Sequence, residues 1–98
     1  RQAGIRDYFR GILTCEEVGH GKDQPDVFEG ALRRLRSTKK DTVVFEDALY
    51  AIRTAKAAGF RVAGVYDPSA EADQAAIQAL SDYYIRSFEE MFETRMLE

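Results

Sequence analysis

The sequence predicts an α/β chain built on a parallel sheet. Three apolar, β-rich runs predict it: Gly11-Ile12-Leu13-Thr14-Cys15, Thr42-Val43-Val44-Phe45 and Phe60-Arg61-Val62-Ala63-Gly64-Val65. The stretches between them carry helical periodicity. Strand, helix, strand, helix, strand at such short spacing implies right-handed crossovers and parallel pairing.

In order, residues 1–11 form an ill-defined lead-in with Tyr8-Phe9 as a packing pair, followed by the strand at Gly11–Cys15. Glu16–Gln24 is a polar loop containing Gly19, Gly21 and Lys22. Pro25 opens a helix, where its missing N–H costs nothing. Val27, Phe28, Ala31, Leu32 and Leu35 give that helix an apolar face, and Arg33, Arg34 and Arg36 face water near its C-terminus. Lys39-Lys40-Asp41 turns into Thr42–Phe45, whose β-branched composition suits a strand buried on both faces. After Glu46 and Asp47 a second helix follows, with Leu49, Ile52 and Ala55 on one face and Gly59 as terminator. Phe60–Val65 is the third strand, ended by the turn Tyr66-Asp67-Pro68-Ser69. Ala70–Leu80 reads as a weaker helix, Tyr83-Tyr84-Ile85 as a short edge strand and Phe88–Phe92 as a last helical turn.

Composition narrows the function classes. The 98 residues suffice for one small domain or a piece of a larger one. Hydrophobic content of 45% beside 32% charged is ordinary for a soluble protein. A net charge of −3 argues against general affinity for nucleic acid or an anionic membrane surface. No apolar run approaches the roughly 20 residues that span a bilayer, and there is no leader pattern. The lone Cys15 cannot form an internal disulfide, which fits the cytoplasm, and in its apolar run it reads as a buried thiol. The chain begins at Arg1 in mid-pattern, as part of a longer protein would.

Parallel topology puts the loops after Cys15, Phe45 and Val65 at one edge of the sheet, where open α/β sheets bind ligands. Lys22, Glu46 and Asp47 converge there, with Asp67 a further candidate. One cation with several hard oxygen donors suits a phosphate bound with a divalent metal. Each residue also has an ordinary reading: Asp47 as a helix N-cap, Glu46 as a solvated strand end, Lys22 as a loop lysine. His20 is the single histidine, which excludes histidine–cysteine metal sites, and in its polar loop it reads as solvated. Neither GxGxxG nor GxxxxGK[ST] is present.

Gly21-Lys22-x-x-Pro25-Asp26-x-Phe28, Val43-Val44-Phe45-Glu46-Asp47 and Ala55-x-Ala57-Ala58-Gly59 together resemble the haloacid-dehalogenase (HAD) superfamily. The branch resembled is that of phosphatases and β-phosphoglucomutase-like enzymes with a helical cap, and Ser81–Glu90 resembles that branch's C-terminal ending. The resemblance implies a Rossmann-like three-layer sandwich, of which residues 1–98 are the C-terminal part of a single core domain. It makes Lys22 the third-motif lysine, which steadies the charge of nucleophile and phosphoryl group. It makes Glu46 and Asp47 the fourth-motif acids that hold magnesium, Asp47 directly and Glu46 directly or through water. The first motif, DxDx[TV], with its aspartate nucleophile, is absent, and so are the second motif and the cap; Glu71-Ala72-Asp73 has the nearest acidic spacing but no preceding strand. Asp23, Gln24, Ala48 and Ala51 stand where the family often has other residues.

The expected function is therefore a share of a magnesium-dependent phosphohydrolase that acts on a small phosphorylated metabolite through an aspartyl-phosphate. The alternatives are a phosphomutase of the β-phosphoglucomutase type and a non-catalytic Rossmann-like interaction module. The resemblance also implies that the nucleophile's strand lies beside Val43–Phe45, with Ile12–Cys15 at the far edge. Without it, Val43–Phe45 is expected to be an unpaired apolar edge that binds the missing N-terminal half or associates with itself. On that expectation the isolated chain is not a stable, active monomer.

Overall fold

Thr42–Glu46 is buried at every position, and the rest of the molecule is arranged around it. The computed structural model describes residues 9–14, 21–22 and 24–86. Their elements are β1 (Gly11–Thr14), α1 (Pro25–Leu35), β2 (Thr42–Glu46), α2 (Leu49–Ala57), β3 (Arg61–Val65), a 3-10 segment (Pro68–Asp73), α3 (Gln74–Leu80) and β4 (Tyr83–Ile85). The α/β class and the parallel sheet are as expected from the sequence. Tyr8, Cys15, His20 and Phe88–Phe92 lie outside the described residues.

The sheet runs β1-β2-β3-β4, every neighbouring pair parallel. This corrects the expected strand order. Ile12 pairs with Val43 and Thr14 with Phe45, so β2 is an inner strand and not an unpaired edge. The physical reason is direct: no other strand of the described chain is available on that side, and the backbone groups of β2 must be paired if buried. Right-handed crossovers that always step the same way also place all their helices on one face. Leu13, Val44 and Val62 accordingly meet Phe28, Ala31 and Leu32 of α1, Ala51, Ile52 and Ala55 of α2, and Ile77 of α3. The opposite face carries Val43, Phe45, Ala63, Val65 and Ile85, joined by Phe9, whose ring stands edge-on to Tyr83 at 6.0 Å. The described residues thus supply the sheet and one helical layer of a Rossmann-like sandwich.

Local chemistry explains the element ends. Pro25 occupies the first turn of α1, and Arg36 closes it in the left-handed region at φ 58°. Lys39 donates to the Ala58 carbonyl and pairs with Glu29, each at 2.6 Å, which ties the middle of α1 to the C-terminal end of α2 beside the Phe28–Phe60 ring contact. The weak helix expected over Ala70–Leu80 is two pieces. Asp67 accepts from the Ser69 N–H at 2.9 Å and starts the 3-10 segment, which kinks at Ala70 before α3 begins. Gly64 permits α3 to lie close on β3, since a Cβ there would sit 2.8 Å from Ile77 Cγ2. Among the described residues no helix is long and apolar enough to cross a membrane.

Candidate phosphate and metal site

Lys22 and the Glu46-Asp47 pair meet at the C-terminal edge of the sheet. Gly21 makes the meeting possible: it adopts φ 80°, and its carbonyl accepts from the Gln24 N–H at 3.0 Å, a tight turn just before α1. A side chain is strained at that φ. The turn sends Lys22 back over the end of β2, where its ammonium lies 3.2 Å from Glu46 Oε1 and 3.1 Å from Oε2. Glu46 Oε2 also accepts from the Ala48 N–H at 3.3 Å.

Glu46 is fully buried, and Lys22 is nearly so. Burial pushes the Glu46 carboxyl above its ordinary range; the Lys22 charge and hydrogen bond, and the Ala48 N–H, pull it back only in part. Glu46 is therefore not a solvated strand end. Lys22 is not a solvated loop lysine either, because its ammonium is held on a buried carboxylate. Asp47 is not the N-cap of α2: Ala48 takes that place, and no side chain caps the helix. The Asp47 carboxylate is half-buried and receives no hydrogen bond among the described residues.

These donors can be tested against magnesium. The ion takes one or two carboxylates and completes its shell with water and phosphate oxygens. Asp47 fits a direct ligand, since its hard oxygens are uncommitted. Both oxygens of Glu46 are already engaged, so it fits a supporting role. No group of three or more Asp, Glu, His or Cys side chains gathers among the described residues. Asp67 in particular does not join the site. Its carboxylate is spent on the Ser69 N–H and hydroxyl, which hold it below the usual carboxylate range. Glu71-Ala72-Asp73 ends the 3-10 segment and offers no nucleophile on a strand.

Tyr50 and Arg53 of α2, which the sequence did not mark out, line a cleft of about 380 Å³ beside Asp47 together with Ser69 of the turn and Asp73 of the acidic triplet, both on the 3-10 segment. The signal available was faint. Tyr50 and Arg53 lie off the apolar face of α2, as any solvent-facing residues would.

Several known proteins are similar to this chain. The chain is 39% identical over 56 residues to a fructose-1-phosphate phosphatase of Escherichia coli, covering 57% of this chain and 30% of that protein. It is 37% identical over 62 residues to a bifunctional riboflavin kinase/FMN phosphatase of Arabidopsis thaliana, covering 63% and 16%. It is 33% identical over 66 residues to a phosphorylated carbohydrates phosphatase of Thermotoga maritima, covering 66% and 31%. The matches therefore span less than a third of each of these relatives. No solved structure matches the chain. The family profile described as haloacid dehalogenase-like hydrolase matches residues 1–65, well over half of the sequence, and the chain belongs to that family.

Proposed function

We propose that the protein containing this chain is a magnesium-dependent phosphohydrolase of the helical-cap, β-phosphoglucomutase-like branch. Its substrate would be a small phosphorylated metabolite and its setting the cytoplasm. The observation that carries the reading is the buried Glu46 carboxylate fixed on Lys22, next to an Asp47 carboxylate with uncommitted oxygens. The phosphatase names of the relatives support the same reaction class. No observation favours the phosphomutase or the non-catalytic module.

In this reading Glu46 locks the Lys22 ammonium in position before substrate arrives. A fixed cation offsets charge developing on a phosphoryl oxygen without reorganising first. Asp47 would hold the magnesium ion, with Glu46 behind it. The ion, when bound, neutralises phosphate charge as a Lewis acid. The nucleophilic aspartate would come from a segment upstream of this chain, and its attack on phosphorus would form the aspartyl-phosphate while the alcohol leaves. That upstream segment is the partner we propose for this chain.

The test is turnover of an aryl phosphate by the full-length protein with and without magnesium. Asp47→Asn is expected to lose most activity with little change in melting temperature, and Glu46→Gln to lose less. Wild-type turnover in Asp47→Asn would remove the metal role.

A further inference from the structure

The outer side of β1 and the last turns of α1 enclose a groove that the chemistry at phosphorus does not use. We propose that it docks an extended acidic segment of a partner protein, one that carries a bulky apolar side chain and a carboxylate two residues apart. Three observations converge there. β1 has β2 on one side and no strand among the described residues on the other, and such an edge is a template for a further strand. Beside it opens a cavity of about 280 Å³ lined by Leu13, Ala31, Arg34 and Leu35, with Leu35 left exposed. Finally, Arg33 Nη2 and Arg34 Nη1 each lie 3.8 Å from the place a Cβ would take at Gly30. Neither arginine makes an ion pair among the described residues.

The two guanidinium groups can be no further apart than twice that distance, a span that one carboxylate bridges with a charge-assisted hydrogen bond of about 2.8 Å at each end. The dipole of α1 favours cations in its last turn, but it does not require two of them to converge on one point. Like charges brought together repel, and an incoming carboxylate reverses the sign of the interaction. The strand geometry fits the same occupant. Leu13 lies on the sheet face covered by the helices, and a strand added beside β1 would set every second side chain on that face. One of these enters the cavity against Leu13, Ala31 and Leu35. The next, about 6.6 Å along, meets Arg34 and the neighbouring Arg33. The cavity is below the usual size of a small-molecule site and suits a single large side chain. Nucleic acid or anionic lipid would offer phosphates to the arginines and nothing to the apolar cavity. A second copy paired β1 to β1 about a two-fold axis would set these arginines against their own counterparts. An extended segment with alternating side chains satisfies the edge, the cavity and the cations together.

The experiment measures fluorescence anisotropy of a labelled, capped octapeptide on the full-length protein. The peptide alternates threonine and valine, with one leucine and a glutamate two residues after it. It should bind with a Kd of about 100 μM or tighter. Lysine in place of the glutamate should weaken binding about tenfold or more, because it meets two cations. Arg33→Gln and Arg34→Gln should each weaken the glutamate peptide about threefold or more, and Leu35→Ser likewise, while turnover of aryl phosphate stays unchanged. Arg34→Glu should narrow or reverse the preference for glutamate over lysine. The peptide should also shift the amide resonances of Gly11, Ile12 and Leu13. Binding indifferent to the exchange of glutamate for lysine, or a preference left intact by Arg34→Glu, overturns the proposal. No binding at about 1 mM overturns it too, because the full-length protein then fills the groove with its own upstream segment or a second copy. Binding of phosphatidylserine vesicles or RNA without binding of the peptide overturns it in favour of that other occupant.

Discussion

Replacing Lys22 by methionine removes a cation and keeps an apolar side chain of similar length over Glu46. The variant then holds a fully buried carboxylate whose one remaining hydrogen bond comes from the Ala48 N–H. Such a group takes up a proton before it stays charged in an apolar site. The cost is therefore capped by the free energy of protonating Glu46. From its ordinary value of 4.5, at about 1.36 kcal/mol per pH unit, the ceiling at pH 7 is about 3.4 kcal/mol. That agrees with the ~3–5 kcal/mol of broken buried pairs.

The sign of the pH dependence follows. Folded Glu46 already has a raised pKa, because burial disfavours its charged form. The folded state then holds a proton that the unfolded state has released, so stability falls as pH rises from 4.5 through the folded value. Removing Lys22 raises that folded value further and steepens the loss. Urea titrations of the full-length protein between pH 4.5 and 8 should show Lys22→Met destabilised at pH 7 by less than this ceiling, because the wild type already carries part of the cost in its raised Glu46, and by almost nothing near pH 4.5. Lys22→Met combined with Glu46→Gln should regain most of the loss and flatten the dependence. A penalty below about 0.5 kcal/mol at pH 7, or one that does not change with pH, would refute the buried ion pair.

Three further outcomes follow. In the aryl phosphate assay Lys22→Ala should lose activity and Lys22→Arg should restore only part, because a planar guanidinium does not replace a compact ammonium; full activity in Lys22→Ala would return Lys22 to a structural role. Gly64→Ala should destabilise by about 1–3 kcal/mol in a thermal melt, since its Cβ would press on Ile77 and on the Ser81 side chain; an unchanged melt would show that α3 can shift. The isolated chain should not hydrolyse aryl phosphates with magnesium, because no DxDx[TV] nucleophile is in its sequence, and sedimentation should show association through its outermost strands; turnover would place the nucleophile within these residues, and a monodisperse, cooperatively melting monomer would dismiss the association.

Much of the fold was legible where one physical demand dominates. Thr42–Phe45 is β-branched and apolar at consecutive positions, which only a strand covered on both faces tolerates, and its residues are buried. Pro25 and the Phe28, Ala31, Leu32 stripe define α1 by the same logic. Periodicity, however, describes one element and is silent about its neighbour. The strand order was therefore taken from the family resemblance, which sets another strand between Ile12–Cys15 and Val43–Phe45, whereas the two pair directly. The break at Ala70 escaped for a local reason: Asp67-Pro68-Ser69 builds its own capped turn, and helical periodicity resumes only at Gln74. Lys22 and Glu46 were both identified as site residues, but their direct contact joins positions 24 apart in sequence, and only the assembled sheet edge brings them together.

The different environments of Glu46 and Asp47 trace to the alternation of β2. Side chains along a strand point to opposite faces in turn. Val44 points to the face covered by α1, α2 and α3, while Val43 and Phe45 point to the other. Glu46 continues the parity of Val44, so it is driven beneath the helical layer. The same layer delivers Lys22, because the Gly21 turn lies immediately before α1. Asp47 comes one residue later, after the strand has ended, and keeps partial contact with solvent. Two adjacent carboxylates thus become chemically unlike. One is buried and given to a lysine; the other is left with oxygens to offer. Exchanging the two roles would require a one-residue slip of β2, which would also turn Val43 and Phe45 toward the helices and Val44 away from them. The core that holds the sheet together therefore fixes which acid serves the lysine and which is available to a metal.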